Sequence, residues 1–127
     1  MADRLARGKA KFDEVYGAGR SEGLVAMQTG LAQDLARYGI EFNFGDIYSR
    51  PGLTLAQREL LTIAALVAIG GLEPQLRGHT RGALNVQLNP GDATAVAVAY
   101  PQGSGTLLAG EWNRAAAANN RIEVRLR

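Results

Sequence analysis

His79 and Glu59 are the side chains best suited to carry a proton in this chain. Imidazole titrates close to neutral pH, and a carboxylate can orient it or exchange a proton with it. His79 is the only histidine, and there is no cysteine. Disulfides, thiolate metal sites and cysteine-based peroxidase chemistry are therefore excluded. One histidine without cysteine also argues against an intrachain zinc site, which ordinarily takes three or four such ligands. No metal and no cofactor are expected. Each candidate also has a structural reading. A lone histidine on an apolar helix face often serves as a satisfied core residue, and Glu59 near a helix start is favoured by the macrodipole.

The elements that must position these two residues read as helices. Residues 3 to 16 are mostly good helix formers and stop before Gly17 and Gly19. Ser21 is a plausible N-cap for a second helix, with Leu24, Met27, Leu31, Leu35 and Tyr38 at spacings of three or four and Gly39 as its stop. The stretch IEFNFGDIYSRPG reads as an aromatic connector with one helical turn. Thr54 and Gln57 have the form of a capping box ahead of Leu60, Leu61, Ile63, Ala64, Leu66, Val67 and Ile69. Apolar residues lie on nearly every side of that helix, which predicts a central, buried element carrying Glu59 in its first turn. Gly70 and Gly71 stop it, and Pro74 opens a further helix to about Val86. Leu72, Leu76, His79, Ala83 and Val86 share one face of that helix, and Gly78 and Gly82 predict close approach to a neighbour. Beyond Pro90, ATAVAVAYP is ambiguous, GTLLAGEWNRAAAANN reads as helix and RIEVRLR alternates like a half-buried strand.

With 127 residues and no linker or repeat, residues 1–127 are expected to form a single domain. Apolar residues make up 46% and charged residues 20%, as in ordinary globular proteins. No apolar run reaches membrane-spanning length and the first residues lack a secretory h-region, so neither membrane insertion nor secretion is expected and the location is read as cytoplasmic. Net charge is +2, and the arginines near the end of the chain are spread without aromatic platforms, so no nucleic-acid partner is expected.

The segment from Phe42 to Leu88 resembles the core of the carboxymuconolactone decarboxylase family. The features run in the family's order: Tyr48, the Ser49-Arg50-Pro51-Gly52 turn, Arg58 at the entry of a buried helix, a small break, then a helix with His79 that ends near Asn85. Gln87 departs from the pattern, standing where the family has a helix-ending glycine that commonly needs positive φ. Residues 89–127 read as a divergent tail, a replacement or a changed reading frame, in which only Tyr100 and Asn113-Arg114-Ala115 are similar to the family.

The resemblance implies an all-α fold, an alkylhydroperoxidase D-like helical bundle assembled as a homo-oligomer, trimer or hexamer, with a tail that is partly strand or irregular. It implies cofactor-independent decarboxylation of 4-carboxymuconolactone, or a similar unsaturated carboxylated lactone, in protocatechuate catabolism. Loss of carbon dioxide leaves a dienolate, so cations must hold charge and an acid must return a proton to carbon. His79 is then the proton carrier, with Glu59 orienting it. Arg50 and Arg81 are the first choices to clamp carboxylates, beside Arg58, and Asn85 either caps a helix or binds substrate. Related peroxidases keep a cysteine pair between similar acid and histidine positions; Leu72 and Gln75 stand near those places here. The alternative is a non-catalytic oligomeric member that binds a small acid or a partner protein.

Overall fold

The computed structural model describes residues 3–27 and 30–89, together with 92, 110, 113 and 114. The described residues form helices and no strand: α1 (Arg4–Tyr16), α2 (Arg20–Met27), α3 (Leu31–Gly39), a π-helix (Ile40–Ile47), α4 (Leu55–Ile69) and α5 (Glu73–Asn85). The fold is all-α, as expected. The readings of strand and helix for the tail lie outside the described residues, apart from helical backbone at Asp92, Gly110, Asn113 and Arg114. Contacts group the chain into two compact units, residues 1–54 and 55–127.

In the first unit, α1 packs on the π-helix, and two glycines set the distance. A Cβ on Gly8 would stand 2.4 Å from the Ile40 carbonyl oxygen, and one on Gly45 would stand 2.7 Å from the Arg4 carbonyl oxygen. The backbones therefore touch where any side chain would hold them apart. Arg7 Nε donates to the Gly45 carbonyl at 2.6 Å, and Arg4 and Arg7 both pair with Asp46. Phe12, Tyr16, Phe44 and Tyr48 form a chain of tilted and edge-on ring contacts, with Phe12 and Phe44 centroids 4.8 Å apart.

Where a connector with one turn was expected, the chain forms an eight-residue π-helix. Its wider register buries Ile40, Phe44 and Gly45 against α1, and tertiary contact of this kind overrides local propensity. Tyr48 N–H closes the last turn onto the Asn43 carbonyl at 2.7 Å. Gly39 accordingly does not stop a helix; it is αR and leads directly into the π register. The single helix expected from Ser21 to Tyr38 is divided into α2 and α3, with Gly30 at φ +61° ahead of α3. Ser21 is inside the first turn of α2 and buried, and the capping role passes to Asp13. The Asp13 carboxylate accepts from the backbone N–H groups of Gly19 at 3.0 Å and Ser21 at 2.8 Å. Partial desolvation pushes this acid up, but those hydrogen bonds outweigh it and hold the group below its ordinary range.

The second unit is built on α4 and α5, which pack together. α4 buries only Glu59, Ile63 and Val67, a single face, while Leu61 and Ile69 are exposed. The helix expected to be central and buried is thus corrected: among the described residues α5 covers one side of it, and its apolar composition brings no second neighbour there. Leu76, Thr80, Gly82, Ala83 and Leu84 are buried on α5. Gly82 lies in the packed face, whereas Gly78 is exposed and a Cβ there meets nothing.

α5 ends in a Schellman motif. Leu88 N–H bonds to the Ala83 carbonyl at 2.8 Å and Gln87 N–H to the Leu84 carbonyl at 3.2 Å. Gln87 takes φ +62°, the left-handed conformation that suits glycine. Buried Leu88 anchors the turn, so Gln87 is held there in spite of its Cβ.

Gly8→Ala should lower the urea unfolding midpoint by about 1–3 kcal/mol of stability, because the α1 and π-helix backbones must separate. Gln87→Gly should act in the opposite direction, raising stability by about 0.5–1 kcal/mol in the same measurement.

Candidate active site

α4 presents Glu59 one turn after its start, on the face turned toward α5, and α5 answers with His79 near its middle. His79 Nδ1 and Glu59 Oε2 are 2.9 Å apart. The Glu59 side chain is wholly buried, while 24% of the His79 side chain is exposed. The carboxyl group thus sits on the inner side of the imidazole. With Glu59 ionised, Nδ1–H donates to it, and Nε2 is the ring's other proton-bearing position. The pair has the form of a proton carrier held by a buried orienting acid.

Two residues near this pair that sequence reasoning did not single out satisfy their hydroxyls within their own helices. Thr80, next to His79, is wholly buried, and its hydroxyl donates to the Leu76 carbonyl at 2.7 Å. The signal was available, since a threonine in an apolar helix face satisfies its hydroxyl on the preceding turn. Thr62 does the same on α4, donating to the Arg58 carbonyl at 3.0 Å.

The other sequence candidates are distributed differently. Arg58 precedes Glu59 on α4 and is half-buried. Arg81 and Asn85 are exposed on α5. At about 100° per residue they lie roughly 160° and 120° around the helix axis from His79. Arg81 therefore occupies nearly the opposite side of α5 from the imidazole. Arg50 is exposed in the turn that follows the π-helix and belongs to the first unit. The structure joins Glu59 and His79 by a hydrogen bond.

A groove of about 230 Å³ lies within the first unit, between α3, the π-helix and Leu24 of α2. Ala32, Leu35, Ala36, Ile40 and Phe44 line it, and Asn43 is its polar side chain. It offers no proton-transfer group. Among the described residues no three His, Asp or Glu side chains gather as a metal site, and no helix is long and apolar enough to cross a membrane.

Comparison with known proteins agrees with the helical architecture. The model of the carboxymuconolactone decarboxylase family matches residues 33–118, more than half of the chain and well into the segment after Pro90. Peroxisomal protein 2 of Schizosaccharomyces pombe is 38% identical over 84 residues, 65% of this chain and 38% of that protein. The 4-carboxymuconolactone decarboxylase of Acinetobacter baylyi is 43% identical over 53 residues, 42% of this chain and 39% of that enzyme. The chain thus spans about two-fifths of the length of each relative.

His79→Ala should cost about 1–3 kcal/mol of stability, because it removes a hydrogen-bond partner from a wholly buried carboxyl group. Adding Glu59→Leu should recover part of that loss, and a double-mutant cycle by urea unfolding measures the coupling.

Proposed function

The chain belongs to the carboxymuconolactone decarboxylase family, and from that premise we propose that it decarboxylates 4-carboxymuconolactone or a similar unsaturated carboxylated lactone without a cofactor. The observation that carries this reading is the 2.9 Å Glu59–His79 pair, with its acid buried and its imidazole partly open. The resemblance to an enzyme named for this reaction supports the choice of substrate.

The division of labour follows from the chemistry. When the carboxylate leaves as carbon dioxide, the bonding electrons pass into the conjugated lactone and form a dienolate. Positive charge stabilises that anion, and a proton must then reach carbon. His79 delivers the proton from Nε2, and Glu59 holds the ring by Nδ1 and balances the imidazolium charge. Arginines hold the substrate carboxylates through paired N–H donors. Arg58 is adjacent to Glu59 in sequence, and Arg50 stands in the turn shared with the family. The far-side position of Arg81 on α5 favours a carboxylate presented by a neighbouring copy, and Asn85 is assigned a capping or hydrogen-bonding role there. The proposed location is cytoplasmic; the name of one relative makes a peroxisomal location the alternative.

Turnover is followed by the ultraviolet absorbance of the unsaturated lactone. His79→Ala should reduce kcat by about 10²–10⁴-fold, the usual contribution of a positioned acid or base. Glu59→Gln should reduce it less. Circular dichroism at the assay temperature establishes that each variant is folded. Equal turnover by parent and folded His79→Ala removes His79 from the reaction. Absence of turnover by the parent favours a non-catalytic member that binds an organic acid.

A further inference from the structure

On the premise that His79 carries the proton in a decarboxylation, we propose that Gln75 and Gly78 complete the face of α5 that meets the lactone. The bare backbone at Gly78 admits the ring, and the Gln75 amide donates to the oxygen that takes up the negative charge.

Helix periodicity sets the open side of the imidazole. Relative to His79, Leu76, Thr80 and Ala83 lie about 60°, 100° and 40° to one side around the α5 axis, and all three are buried. Gln75 and Gly78 lie about 40° and 100° to the other side, and both are exposed. Gly82, about 60° to that other side but one turn later, is buried, so the open stretch beside His79 runs toward the start of α5. Side chains on a helix lean toward its N-terminus. The ring therefore tilts over the turn that carries Gln75, whose Cα is about 6 Å back along the axis. His79 stands at the border, with 24% of its side chain exposed.

Gly78 supplies a second observation. It stands inside α5, where glycine is less favourable than alanine. A Cβ here would meet nothing within 4 Å, in contrast to Gly8, where it would press on the Ile40 carbonyl. Nor does Gly78 take positive φ. Neither packing among the described residues nor backbone conformation calls for glycine at this position. What the missing Cβ leaves is bare backbone beside the imidazole, low enough for a flat ring to approach. Gln75 brings N–H donors to that surface, whereas Arg77 and Arg81 lie about 160° from His79 on the far side of the helix. When the bond to the leaving carboxylate breaks and carbon dioxide departs, the electron pair passes through the double bond onto the lactone carbonyl oxygen. The Gln75 amide donates to that oxygen while His79 passes its proton to carbon, and solvent returns a proton to the imidazole. A neutral donor suits the place, since it stabilises the anion without repelling the imidazolium.

Stability and activity should move in opposite directions at Gly78. Gly78→Ala should raise the urea unfolding midpoint, as helix propensity requires, and yet raise KM. Gly78→Val should raise KM roughly tenfold or more, because its branched side chain fills the approach of the ring. Gln75→Leu should lower kcat about 10²-fold with the unfolding midpoint little changed, the usual loss of one donor to a developing oxyanion. Gln75→Glu should lower it further, since a carboxylate accepts where the amide donates. His79, as the only histidine, gives a single imidazole resonance that reads binding without turnover. A saturated analogue of 4-carboxymuconolactone, which cannot form the dienolate, should shift that resonance and the Gly78 amide signal of the parent. Its binding should weaken roughly tenfold in Gly78→Val. Turnover by both Gln75→Leu and Gly78→Val at the parental kcat/KM overturns the proposal and leaves decarboxylation at His79 standing. A parent that binds the analogue at Gly78 but does not turn over the lactone ends the decarboxylase reading and keeps this face as a binding site. An analogue that leaves both signals unmoved at millimolar concentration overturns the proposal.

Discussion

The second unit depends on the hydrogen bond between a wholly buried carboxyl group and the imidazole that faces it. Burying Glu59 without polar partners would cost several kcal/mol, and His79 on α5 supplies one of them. The contact fixes the rotation of both helices at once. Thr80 and Leu76 then fall into the packed face, and Arg77, Arg81 and Asn85 are turned outward. The same bond holds the imidazole by Nδ1, and the ring is partly exposed. Structure and proposed chemistry therefore share a single interaction.

The first unit rests on a different constraint, the contact of two backbones. Gly8 and Gly45 remove the Cβ atoms that would otherwise separate α1 from the π-helix, and Arg7 joins the two by donating to the Gly45 carbonyl. The π register is sustained by what it buries, Ile40 and Phe44, and by the aromatic chain from Phe12 to Tyr48. The α1–α2 corner is held by one acid, Asp13, whose backbone hydrogen bonds stabilise its charged form and replace the missing partners at the start of α2.

Family membership and activity stand on different footings. Membership follows from a match over residues 33–118 and from the helical architecture. Activity is proposed from the Glu–His pair, because the two named relatives are each more than twice as long as the region they share with this chain.

Much of this was legible in the residues. Gly17, Gly70, Gly71 and Pro74 mark the bounds of α1, α4 and α5, because positive φ and a missing N–H act locally whatever surrounds them. The need for positive φ after α5 was likewise visible at position 87, although glutamine occupies it. Glu59 and His79 could be named as the proton-bearing pair from their types and their places on successive helices. Their 2.9 Å contact could not, since it requires the relative rotation of α4 and α5. The π-helix, the break at Gly30 and the one-sided burial of α4 were also beyond local reading. Each is decided by which neighbour covers a segment, and a side chain's hydrophobicity states only that it would gain from cover. Sequence determined where helices begin and end and which residues could move a proton; tertiary packing decided which faces meet, because contact between distant segments has no signature in local spacing.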